Sequence, residues 1–183
     1  MQGVYTISEI GMKPAVIRSQ RGGDPALLNT AWTLAVIRGI LICILVSGLA
    51  FPVSRFYHAP ELLLVLPLIG VTAIVGGLRS TNEITCHREL HEGRLAAIEL
   101  CENVSSRLVM IVWAVLAPSV LALAGGSLAG VVLGCVLTYI AIPGPRNRFF
   151  IERKSVHEIL SFGVWILVGA IIAFLARQID RFI

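Results

Sequence analysis

Long apolar segments recur along this chain, and basic residues are concentrated in every second connection between them. An apolar segment of about 20 residues is long enough to cross the hydrocarbon core of a bilayer as a helix. The pattern predicts an all-α, polytopic membrane helix bundle with about four complete spans and a partial span at each end. The first partial span is the tail 1–20, the complete spans are 25–52, 61–78, 95–117 and 119–141, and the last, partial span belongs to a helix over 156–183.

Two local patterns predict where helices begin. Asp24 followed by Pro25 is typical of an N-cap and first helical position, because the carboxylate accepts an amide hydrogen bond and proline lacks the donor. Ser155-x-x-Glu158 has the form of a capping box, so the last helix is expected to begin at Val156.

A third boundary follows from length. The stretch Leu108–Ile142 carries no charge, but as one helix it would be roughly 52 Å long, against a hydrocarbon core of roughly 30 Å. We therefore expect a break at Pro118, and the helix before it must extend back to about Leu95 to be long enough. The helix after the break contains Gly126-xxx-Gly130-xxx-Gly134, a small-residue stripe that favours close approach of another helix.

Composition restricts the possible functions. Apolar residues make up 56% of the 183 residues and charged residues only 14%, whereas a soluble domain carries about a quarter charged residues. The net charge of +4 is small and no basic cluster alternates with aromatic residues, so no nucleic-acid partner is expected. The four cysteines are widely spaced, and we interpret them as small buried apolar residues, not as disulfides or metal ligands.

The basic residues predict the orientation in the membrane. Segments 1–29, 79–94 and 142–158 together carry ten lysines and arginines, whereas the connections on the other side carry only Arg55. Because cytoplasmic loops are enriched in basic residues, the three basic segments are expected to face the cytoplasm. Segment 142–158 is then a basic cytoplasmic connection that precedes the last helix.

One short segment offers two interpretations. His87 and His91 are four residues apart and so share a helical face, which is the spacing of metal ligands. However, Arg88 takes the position of the glutamate in the HExxH motif, and charged residues surround the pair on most sides. An amphipathic helix at the cytoplasmic interface is the interpretation we favour, so no metal and no cofactor are expected. No catalytic set can be assigned either, and an enzyme is not expected.

Charged residues at membrane depth are the candidate functional residues, because such residues usually face a partner or a hydrated cavity. Cations outnumber anions among them by four to three, which suits an anionic ligand such as a phosphate-linked lipid. Snorkelling or structural ion pairing is the alternative explanation for each. The residues are Arg38, Glu99, Glu102, Arg107, Arg177, Asp180 and Arg181.

Several stretches resemble the polysaccharide and O-antigen (Wzx-type) flippases, which belong to the superfamily of MATE exporters and lipid flippases. The similarity extends over nearly the whole chain, and the order and spacing of the stretches are more specific than any one of them. They are Asp24-Pro-Ala-Leu-Leu-Asn-Thr-Ala-Trp-Thr-Leu-Ala-Val-Ile-Arg38-Gly, Ala59-Pro-Glu-Leu, Gly77-Leu-Arg-Ser-Thr, Phe162-Gly-Val-Trp-Ile and Phe174-Leu-Ala-Arg-Gln-Ile-Asp180-Arg.

The resemblance implies a fold and a function. The fold would be the N-terminal half of a MATE-like flippase, and against that pattern the first span and most of the C-terminal half are expected to be missing. The resemblance thus implies a partial N-terminal helical half over 1–141, a cytoplasmic basic linker over 142–158 and the truncated first helix of a second half over 159–183. The function would be translocation of a lipid-linked oligosaccharide, of the undecaprenyl diphosphate type, across the bacterial inner membrane. Membrane lipid and the polymerase and glycosyltransferases of a glycan pathway are the implied partners.

The resemblance also implies roles for the charged residues. Arg38, Arg107, Arg177 and Arg181 would attract the diphosphate. Asp180 and Glu102 would be candidates for proton coupling, since a carboxylate in a low dielectric can take up a proton. A multidrug exporter of the same superfamily and a non-transporting membrane scaffold are the alternatives; the excess of cations argues against the exporter.

Overall fold

A computed structural model describes residues 24–88, 92–145 and 147–161. Helices account for most of these residues, and no strand occurs in the described part of the chain. This confirms the expected all-α class. The helices are α1 (Pro25–Phe56), α2 (Leu62–Gly77), α3 (Asn82–Arg88), α4 (Glu92–Leu116) and α5 (Leu121–Ile140), and residues 153–161 are also helical.

Two of the helices, α1 and α5, have the length and apolar composition needed to cross a membrane. Helix α2 is also apolar but has only 16 residues, and α4 is long enough but carries charged residues along its first half. Many large apolar side chains on α1 and α4 are exposed, among them Leu45 and Val115. Exposed apolar surface of this extent is typical of helices in contact with lipid.

The helix boundaries agree with the sequence in most places. The Asp24 carboxylate accepts a hydrogen bond from the Ala26 amide at 3.0 Å, which confirms the predicted N-cap. Helix α2 contains Pro67, as expected, and α4 and α5 are separated at Pro118. Helix α1 is longer than predicted, because it continues through Pro52 and ends at Phe56.

The capping box at Ser155 was a wrong prediction. The helical residues begin at 153, and the Ser155 hydroxyl donates to the carboxylate of Glu152 within the first turn. The Glu152 carbonyl already accepts from the Val156 amide at 2.9 Å. Serine three residues before a glutamate is therefore part of the helix here, and the helix begins earlier than the pattern indicated.

Two compact units can be distinguished among the described residues. In the smaller unit, made of residues 24–31 and 148–161, α1 side chains accept backbone amides from the later segment. The Asn29 Oδ1 accepts from the Arg148 amide at 2.9 Å, and the Thr30 Oγ1 accepts from the Glu152 amide at 3.2 Å. The division of the chain into 1–141, a linker 142–158 and 159–183 stays a prediction.

The larger unit, Trp32–Asn147, is built on close helix contacts at glycines. An added Cβ at Gly39 would lie 2.5 Å from the Ala73 carbonyl oxygen, and one at Gly77 would lie 2.6 Å from the Ala35 carbonyl oxygen. Helices α1 and α2 therefore meet backbone to backbone at two places, an approach that small residues permit. Helix α5 packs against both α2 and α4, and α3 packs against α4.

The predicted glycine stripe of α5 is the contact with α4. An added Cβ at Gly130 would lie 2.6 Å from the Ser106 Cβ and 2.9 Å from the Glu102 carbonyl oxygen, and Gly126 faces the backbone and side chain of Met110 in the same way. The stripe thus follows the α4 residues 102, 106 and 110, which confirms the expected close approach.

The cysteines are all free thiols. Cys86 is buried in a small apolar core with Leu95, Ile98 and Ile142, as expected. Cys101 is exposed on α4, so the expectation of burial was wrong for this residue.

Candidate functional site

An ion pair joins the end of α2 to the middle of α4. Arg79 follows the last residues of α2, and its Nη2 donates to the Oε2 of Glu102. The two side chains are only 18% and 20% exposed. A largely buried carboxylate is costly unless a cation neutralises it, and the guanidinium supplies a charged hydrogen bond as well.

Helix α5 leaves room for this pair at Gly134. An added Cβ at Gly134 would lie 2.7 Å from the Arg79 Nη2 and closer still to the Glu102 carboxylate. The last glycine of the α5 stripe therefore has a different neighbour from the first two. It admits a charged pair between three segments, whereas Gly126 and Gly130 admit the backbone of α4.

Residues 80–83, which run from the connection after α2 into the first turn of α3, are unusually polar for a buried segment. Ser80, Thr81, Asn82 and Glu83 are all at most 7% exposed. The Ser80 amide donates to the Thr138 Oγ1 at 3.3 Å. Buried polar groups need such partners, and here α5 provides one for the backbone of the connection.

Two aromatic side chains donate hydrogen bonds to a backbone carbonyl at the C-terminal end of α2. The Tyr139 hydroxyl donates to the Leu78 carbonyl at 2.7 Å, and the Trp32 Nε1 approaches the same oxygen at 3.4 Å. Carbonyls in the last turn of a helix have no partner within the helix, so these donors satisfy a group that the apolar surroundings would leave unpaired.

Asn147 closes the network from the segment that follows α5. The Asn147 amide is assigned the orientation that satisfies its neighbours. Its oxygen then accepts from the Trp32 Nε1 at 3.0 Å and from the Thr81 amide at 3.2 Å, and its nitrogen donates to the Thr81 Oγ1 at 2.7 Å. Gly144 lies against Asn82, with an added Cβ only 2.5 Å from the asparagine side chain. Gly144 and Asn147 therefore both contact the residues that follow α2, at Asn82 and at Thr81.

The predicted site residues fall into three groups. Glu102 is paired with Arg79, as described above. Arg38 is half-buried on α1 with its Nε buried, whereas Arg107 is exposed on α4. Three of the predicted residues lie outside the described part of the chain: Arg177, Asp180 and Arg181.

The histidine segment is only partly described. The His87 Nδ1 lies 3.1 Å from the Glu92 Oε1, between the end of α3 and the start of α4, and His91 lies outside the described residues. The short helix α3 agrees with the helical interpretation of this segment, and its placement at an interface stays a prediction.

Sequence reasoning did not assign Arg79 to the site. We counted it among the loop cations, because it directly follows an apolar segment and precedes the polar Ser80-Thr81. The sequence of α4 did indicate that Glu102 needs a partner from elsewhere. Arg107 is five residues from Glu102 and so does not share its helical face, and the cation for Glu102 therefore has to come from another segment.

In chemical terms, the site combines a partly exposed charged pair with a partly buried network of neutral hydrogen bonds. The pair can exchange partners, because a guanidinium binds phosphate oxygens as well as carboxylate oxygens. The neutral network holds the backbone around it.

Comparison with known families gives a match to the family described as "Polysaccharide biosynthesis protein", over residues 1–183. Comparison with curated proteins and with solved structures gave no match. The family match covers all of the motifs that suggested a relationship to Wzx-type flippases, and two of those motifs contribute Trp32 and Thr81 to the network described above. The chain is thus a membrane protein that belongs to the polysaccharide biosynthesis protein family, which confirms the family resemblance seen in its sequence.

Proposed function

We propose that this chain acts in a transporter that moves a lipid-linked oligosaccharide across the bacterial inner membrane for surface polysaccharide or O-antigen synthesis. The observation that carries the proposal is the family match over residues 1–183. The chain would not itself be an enzyme, and its partners would be an undecaprenyl diphosphate-type lipid and the polymerase and glycosyltransferases of the pathway.

The ion pair supports a multi-pass arrangement. Besides α1 and α5, the proposal needs α2 and α4 to cross the membrane, and Glu102 is the main obstacle for α4. Pairing with Arg79 neutralises that carboxylate and satisfies it with a charged hydrogen bond, which lowers the cost of placing it at membrane depth. In this arrangement α2 crosses the membrane and the basic segment 79–94 follows it on the cytoplasmic side, as the distribution of cations predicts.

The charges also support an anionic substrate. Arg38 and Arg107 are on two of the proposed crossings, and Arg79 adds a third cation that a phosphate group could approach. A multidrug exporter that takes cationic compounds would need the opposite balance of charge, which makes it the weaker alternative.

Deletion of the encoding gene tests the proposal. We expect lipid-linked oligosaccharide to accumulate in the inner membrane, protected in intact spheroplasts from a periplasmically added glycosidase. A plasmid copy of the gene should reverse both effects. Normal surface polysaccharide in the deletion strain, together with increased sensitivity to cationic dyes, would instead favour the exporter.

A further inference from the structure

We infer that Arg79 is a further phosphate-binding residue and that Glu102 is its displaceable counter-ion, occupying the guanidinium until a lipid diphosphate replaces it. The inference rests on the proposed transport of a diphosphate-linked lipid. It assigns a ligand to a residue that the sequence indicated only as a loop cation.

The first argument is access. Both side chains keep about a fifth of their surface exposed, at 18% for Arg79 and 20% for Glu102, so the pair is not sealed inside the helix bundle. A phosphate oxygen offers the guanidinium the same kind of charged hydrogen bond as a carboxylate oxygen, and a diphosphate carries more negative charge than one carboxylate. Exchange therefore replaces one charged partner of Arg79 with another.

The second argument is depth. Arg79 comes directly after the apolar helix α2, at the end where the basic connections are expected to face the cytoplasm. A lipid diphosphate in the cytoplasmic leaflet lies at the same level, where the hydrocarbon core meets the head groups. The cation is thus placed at the depth where the substrate would first be met.

The third argument is space. Gly134 has no side chain, and any Cβ there would contact both members of the pair. The absent side chain therefore leaves room for the guanidinium and the carboxylate at this position.

If Glu102 is a displaceable counter-ion, neutralising Arg79 and neutralising Glu102 change the affinity for the diphosphate in opposite directions. In a static ion pair, both substitutions change the affinity in the same direction. Arg79→Gln removes the phosphate ligand, so binding should weaken by at least about tenfold, the usual loss for a charged hydrogen bond. Glu102→Gln removes the carboxylate that competes for Arg79, so the diphosphate should bind several-fold more tightly. Transport should slow, because no carboxylate is left to displace the bound diphosphate from Arg79.

The experiment is a binding titration of the full chain in phosphatidylethanolamine–phosphatidylglycerol nanodiscs with a polyprenyl diphosphate as probe and the uncharged polyprenol as reference. Glu92→Gln is the matched control, because Glu92 is an exposed carboxylate at the start of the same helix. It should leave the affinity unchanged. The exchanged variant Arg79→Glu with Glu102→Arg keeps an ion pair in place; we expect it to keep the thermal stability of the wild type but not its affinity.

Equal weakening of binding by Arg79→Gln and Glu102→Gln, with recovery in the exchanged variant, would overturn the inference and leave a static ion pair. In that case the wild type still binds the diphosphate and the proposed function stands. Failure of the wild type to distinguish the diphosphate from the polyprenol would overturn the proposed function, and the inference with it.

Discussion

The contact between α4 and α5 makes a strong prediction at Gly130. Substitution by alanine places a Cβ 2.6 Å from the Ser106 Cβ and 2.9 Å from the Glu102 carbonyl oxygen, whereas carbon atoms in good contact are about 3.5–4.0 Å apart. Neither of the opposing atoms is the end of a flexible side chain, so the helices themselves have to separate.

Two opposing terms set the size of the effect. Alanine is favoured over glycine inside a helix by about 1 kcal/mol. Overpacking of a close contact typically costs about 1–3 kcal/mol, and the overlap with α4 backbone atoms places Gly130 in the upper part of that range. We therefore expect Gly130→Ala to lower the free energy of unfolding by about 1–2 kcal/mol, or the Tm by about 2–8 °C in a chain of this length.

Gly48→Ala is the matched control. Gly48 also lies inside a helix, α1, but an added Cβ there meets nothing within 4 Å. It should leave the Tm unchanged or raise it slightly, since only the helix propensity changes. Thermal unfolding of both purified variants in the same detergent, followed by intrinsic tryptophan fluorescence, makes the comparison. If Gly130→Ala is as stable as Gly48→Ala, α4 and α5 do not meet at this stripe.

The remaining predictions concern orientation, binding, coupling and capping. In a background without the native cysteines, an impermeant maleimide added to intact cells should label a cysteine at position 57 and not one at position 148; labelling at 148 would contradict the orientation. Arg38→Lys should reduce transport while the membrane level of the protein holds, because lysine does not reproduce two-pronged phosphate contact, and full activity would make the residue an anchor only. Asp180→Asn should lower transport or remove its pH dependence at a normal protein level, and an unchanged pH profile would assign it a structural role. Asp24→Ala should cost about 0.5–2 kcal/mol of stability through loss of the N-cap, measured as a lower Tm, and no loss would show that the cap is dispensable.

Local chemistry allowed most of the helix boundaries to be predicted. Asp24 and Pro118 determine a start and a break through backbone hydrogen bonding alone, which depends on adjacent residues only. The glycine stripe of α5 could be recognised for a similar reason, because its periodicity places three small residues on one face whatever the partner helix is.

The partner of Glu102 and the start of the last helix could not be predicted in this way. The cation that neutralises Glu102 comes from a residue 23 positions earlier in the chain, and only the packing of α2, α4 and α5 brings it there. At Ser155, the local pattern fitted a cap, but Glu152 provides the helix with an earlier carbonyl and a side-chain acceptor, and so the first turn forms before the serine.

The hydrogen bonds to the Leu78 carbonyl keep the backbone at the end of α2 in place when the adjacent residue, Arg79, changes its partner. The donors, the Tyr139 hydroxyl and the Trp32 indole, carry no charge, so added salt that screens ions leaves these hydrogen bonds intact. The next residue along the chain, Arg79, is held through a charge and is sensitive to both salt and competing anions. Adjacent positions are thus anchored by independent means, and the arginine side chain can change partners while the backbone that carries it stays in register.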